Sequence, residues 1–205
     1  MTISSQDRRT AEVQIGQFGA QDELTADLPN VLQNMLHEFS DRDGMPDDLT
    51  LSERRARKIC DTCNTGNYSL DIASRLTAEL SDYPFKACYE DSLMIDELKA
   101  ITENDNCSLP TVQVSPSYFQ YCQGYSVQTD SRGSGKDLYV LVMNVNHTEV
   151  LLYDPYRFRN KGRGNMEPTQ IDKNDFEDAW LGKYEVTSTL WVEGTDQQRI
   201  TQFST

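Results

Sequence analysis

The sequence predicts an α+β domain, with N-terminal helices packed on a C-terminal antiparallel β-sheet. Three observations predict it. Apolar residues recur at helical spacing up to about residue 101. From residue 109 they fall instead into short runs rich in β-branched side chains. The stretch 138–155 then reads as two such runs around a polar turn, closed by Asp154-Pro155. Helices segregated from antiparallel strands mark this fold class.

Residues 1–20 show little periodicity, although Val13-Gln14-Ile15-Gly16-Gln17-Phe18 fits a short edge strand. Residues 1–12 are expected to be a flexible arm, 13–193 the domain and 194–205 a tail. Asp27-Leu28-Pro29 opens the first helical pattern, with Pro29 at a tolerated first-turn position and Val31, Leu32, Met35, Leu36 and Phe39 on one face of a buried helix. A charged loop containing Gly and Pro covers 41–48. Thr50-Leu51-Ser52-Glu53 then reads as a capping box for a helix through about Cys60. Gly66-Asn67 punctuates, Leu70, Ala73, Leu76 and Leu80 give a third stripe, and 95–101 gives a short fourth helix. Strands are expected at 111–115 and 187–192, with a short helix around Phe176-Glu177-Asp178-Ala179-Trp180 before the latter.

The hairpin is the most informative segment. Leu138 to Val145 is almost wholly apolar, the pattern of a strand covered on both faces. Asn146-His147-Thr148-Glu149 supplies the turn, and the second run ends at Pro155, which cannot donate to a ladder. Asp154 thus stands at a strand end, where a carboxylate has rigid support. Its plainer role is to open the turn with Pro155.

Composition bounds the function. The chain has 205 residues, 37% of them hydrophobic, enough for one well-cored domain. No run approaches the length of a membrane span, and the first twelve residues lack an apolar signal core, so a soluble, cytoplasmic protein is expected. Five cysteines at irregular spacing suit reduced thiols better than a secreted disulfide framework. A net charge of −14 argues against nucleic-acid and anionic-membrane binding.

Taken in order, Gln21, the buried helix, Gly66-Asn67-Tyr68-Ser69-Leu70-Asp71-Ile72-Ala73-Ser74-Arg75-Leu76, Ile95-Asp96-Glu97-Leu98-Lys99, the hairpin ending Asp154-Pro155, and Asp175-Phe176-Glu177-Asp178-Ala179-Trp180 resemble cysteine peptidase family thirty-nine. These are the double-glycine leader peptidases, with a papain-like fold. The resemblance spans roughly 13–193 and is one of pattern and order. It implies a catalytic Cys at the start of the first helix, six residues after a Gln that helps form the oxyanion hole. Gln21 and Pro29 keep that frame, but Asp27 holds the nucleophile position. It also implies a His at the start of the central strand, where Leu138 stands. Only the orienting carboxylate is matched, by Asp154.

A thiolate attacks an acyl carbon when an adjacent imidazole accepts and returns its proton. Leu138 can do neither job, and loss of a nucleophile or base in a comparable triad costs about a millionfold in turnover. Gln21 and Asp154 alone could polarise a bound carbonyl. The sequence therefore points to a degenerate, inactive peptidase-like domain that binds a peptide or protein segment, with no cofactor. The enzymatic alternatives are a shifted triad built from Cys60, Cys63, Cys88, Cys107 or Cys122 with His37 or His147, and a carboxylate pair of Asp27 and Asp154. Against the pair stands the simpler role of Asp27 as a helix N-cap.

Three further features have plainer and sharper readings. Cys60-Asp61-Thr62-Cys63 matches half of a zinc site, but the second half is missing, so no metal is expected. Arg157-Phe158-Arg159-Asn160-Lys161-Gly162-Arg163-Gly164, the one basic run, could grip a single-stranded nucleic acid or an acidic segment, but reads more simply as a solvated loop. Tyr121 and Tyr125, in the aromatic cluster 118–125, would stand at the rim of a papain-like cleft and hold a peptide, or else pack in the core.

Overall fold

The computed structural model describes residues 27–60, 68–115, 138–153, 168–181 and 186–195. The chain runs α1 (Asp27–Ser40), α2 (Glu53–Cys60), α3 (Tyr68–Glu79), β1 (Phe85–Glu90), α4 (Ile95–Glu103), β2 (Thr111–Val114), β3 (Leu138–Val145), β4 (Glu149–Tyr153), β5 (Thr169–Asp172), α5 (Lys173–Leu181) and β6 (Thr189–Gly194). The expected strand at 13–18, the arm and most of the tail lie outside the described residues.

The strands form one antiparallel sheet in the order β1-β6-β2-β3-β4-β5. The hairpin is central, as its apolar runs require. Along β3, Leu141 and Met143 face the α1–α3 layer, while Val140 and Val142 face the opposite side. A bulge between Val142 and Asn144 shifts the register, which lets Val145 join Val142 on that second face three residues later. The turn is built by Asn146, whose Oδ1 accepts from the N–H groups of Thr148 at 2.9 Å and Glu149 at 2.7 Å.

The α+β expectation holds, with three refinements. β1 intervenes between α3 and α4, so the helices are not all N-terminal to the sheet. Helices also cover both faces: α1–α3 pack on Phe85, Leu141, Met143, Leu190 and Val192, while α4 and α5 pack on Val112, Val140, Val142 and Leu152. At α2 the capping residue is Ser52, whose Oγ accepts from Arg55 N–H at 3.4 Å, rather than Thr50.

α1 is buried on nearly every side, with Val31, Met35 and Phe39 wholly inaccessible. Its far end is pinned by Arg42, which makes a two-point ion pair with Glu38 at 2.8 and 2.6 Å, donates to the Cys107 carbonyl and lies 5.1 Å from the Phe39 ring centre. Gly44, at φ 84°, permits the sharp turn that follows. The outer edge of β1 is closed by Thr77 of α3, whose Oγ1 accepts from Ala87 N–H at 3.0 Å.

Candidate functional site

The site is organised by where α1 begins. Tyr153, the last residue of β4, is fully buried, and its hydroxyl donates to Asn30 Oδ1 at 2.9 Å. Asn34, one turn further along α1, donates through Nδ2 to the Asn30 carbonyl at 2.8 Å, to Asn30 Oδ1 at 3.0 Å and to the Tyr153 hydroxyl at 3.3 Å. The spacing of four residues places both amides on one face of the helix. This buried latch fixes the first turns of α1 against the end of β4. Asn34 Oδ1 is the remaining buried acceptor, with no donor among the described residues.

Beside the latch, Leu28 from α1, Ile72 from α3, Gln113 from β2, Tyr139 from β3, and Ser188 and Leu190 next to and within β6 line a cleft of about 240 Å³ counted out to its open mouth. Much of that space is open solvent, so the feature is a shallow surface groove and not a small-molecule pocket. Its rim carries hydroxyls already committed to the protein. Thr111 donates to the Val140 carbonyl at 3.2 Å, and Ser188 shares a hydrogen bond with Tyr89 at 3.2 Å.

Of the sequence-predicted site residues, Asp27 opens α1 and Leu138 opens β3, and only their backbones are described. Because Asp27 is already helical, it stands one position inside the N-cap proposed for it. Gln21, Asp154, Tyr121 and Tyr125 lie outside the described residues, as do Cys63, Cys122 and the basic run at 157–164. The neighbours of the family positions do meet: Leu28 and Tyr139 line one cleft, and Tyr153 bonds to α1.

The described thiols and imidazoles stand elsewhere. His37 is in the last turn of α1, 3.8 Å from Asp41 and about 14 Å along the helix from Leu28. His147 is exposed in the β3–β4 turn, about 30 Å along the strand from Leu138. Cys60 ends α2, and Cys107 bridges to Glu193. Cys88, opposite Trp191 on β1, has its thiol pushed up to about 12, first by burial and then by the charge of Glu193 and a hydrogen bond to it. A thiol held there is protonated at neutral pH and is no nucleophile. Among the described residues no group of three or more His, Cys, Asp or Glu side chains could hold a metal, and no helix is long and apolar enough to cross a membrane.

Sequence reasoning missed the latch. The signal was available in Asn30 and Asn34, two amides four residues apart inside the apolar stripe of α1. A polar pair on a buried face needs a partner, and Tyr153 at a strand end was a candidate.

No family model matches this sequence, and neither does any curated protein. Solved structures do share its course of chain. A protein described as a C39-like peptidase from Bacillus anthracis aligns over 87% of this chain and 92% of its own, with a TM-score of 0.50 at 11% identity. A double glycine motif protease from an AMS/PCAT transporter, crystallised with the leader peptide, aligns over 85% of this chain and 89% of its own, with a TM-score of 0.48 at 12% identity. The fold is thus the α+β, papain-like fold of C39 peptidases that the resemblance implied.

Proposed function

We propose that this chain is a peptidase-like domain without catalytic activity, which holds a peptide or protein segment in the cleft where α1 and α3 meet the sheet. Residues 13–193 form the unit, working in the cytoplasm without cofactor or metal. One observation carries the reading. At the start of α1 the described polar side chains Asn30, Asn34 and Tyr153 bond one another, while the described thiols and imidazoles stand elsewhere. The resemblance supports it further, since it implies a thiol and an imidazole at the positions that Asp27 and Leu138 hold. The groove beside them is lined by Gln113, Tyr139, Leu28, Ile72 and Leu190, a mixed surface along which an extended segment would lie.

The test is to incubate the full chain with a pool of synthetic peptides and follow cleavage by mass spectrometry and retention by equilibrium dialysis. The expected result is retention without cleavage, with retention weakened by Gln113→Ala or Tyr139→Ala. Cleavage that iodoacetamide abolishes would falsify the inactive reading. A pool that passes through unretained removes the binding role.

A further inference from the structure

We draw no further inference here: the strongest candidate, the exposed acidic connection between α1 and α2 where Asp41, Asp43, Asp47 and Asp48 stand about the turn at Gly44, is a cluster of carboxylates in which no three side chains are placed to hold a metal, and nothing else among the described residues points to a ligand there.

Discussion

The two faces of the sheet are stabilised in different ways. Under α4 and α5 the contact is apolar, with Val112, Val140, Val142, Val150, Leu152, Ile171, Phe176 and Ala179 all buried, and the Phe176 and Trp180 rings stacked at 5.7 Å. Under α1 the core is as apolar along most of its length, but at the start of the helix it contains a directional polar latch. Burial fixes how much surface is covered and tolerates sliding, whereas hydrogen bonds fix which atom meets which. The polar constraint sits at the start of α1, whereas the opposite face is held mainly by apolar packing and leaves Trp180 Nε1 a buried donor without an acceptor among the described residues.

The largest effect expected from that contrast is on the apolar face. Phe176→Ala removes a fully buried ring and should cost about 3–5 kcal/mol in denaturant unfolding. Tyr153→Phe removes one hydroxyl and leaves Asn30 and Asn34 partly unsatisfied, for about 1–2 kcal/mol. A cycle pairing Tyr153→Phe with Asn30→Ala should be non-additive, since both act on one bond. The readout particular to the latch is local: amide exchange should quicken in the first turns of α1 in Tyr153→Phe and stay unchanged in α5. Exchange that quickens uniformly would mean the latch is ordinary core and would erase the contrast between the faces.

Much of this was legible in the sequence where burial is two-sided or periodic. β3 and β4 declared themselves by unbroken apolar runs, and α1 by Val31, Leu32, Met35, Leu36 and Phe39. β1 was not legible, because Phe85-Lys86-Ala87-Cys88-Tyr89-Glu90 has no β-branched residue and forms an edge that α3 closes. β5 is four residues long, with alternate burial and a helix starting at its end, too short for a period to show. The last strand was expected at 187–192 and runs Thr189–Gly194, since Thr187 and Ser188 bond to the α4 entry and β2 before the ladder begins. The site was less legible than the fold, because Gln21, Asp27, Leu138 and Asp154 acquire meaning only through a resemblance. The latch depends on which buried amide finds which strand end, a pairing set across more than 100 residues of chain.

The smallest effect expected lies at the β1–β6 edge of the α4–α5 side. There Glu193 accepts from Lys86 at 2.9 Å and from Trp191 Nε1 at 3.2 Å. Burial alone would raise its carboxyl, but hydrogen bonds from Lys86, Trp191 and Cys88 outweigh that and hold it below its ordinary 4.5. A carboxyl depressed in the folded state adds stability that is complete above the unfolded value and is lost as pH falls through the folded one. Glu193→Gln should therefore flatten the acid limb of the stability profile below about pH 4.5 and change little at neutrality. The same substitution should quicken iodoacetamide labelling of Cys88. With its thiol pushed up to about 12 against an ordinary 9.0, Cys88 should label much more slowly than a free thiol at pH 8, and replacing Glu193 removes the charge that adds to the effect of burial. Rapid labelling of Cys88 in the unaltered chain would place a reactive thiol beside Glu193, where burial and that carboxylate hold it protonated. It would reopen the possibility of a rearranged catalytic site.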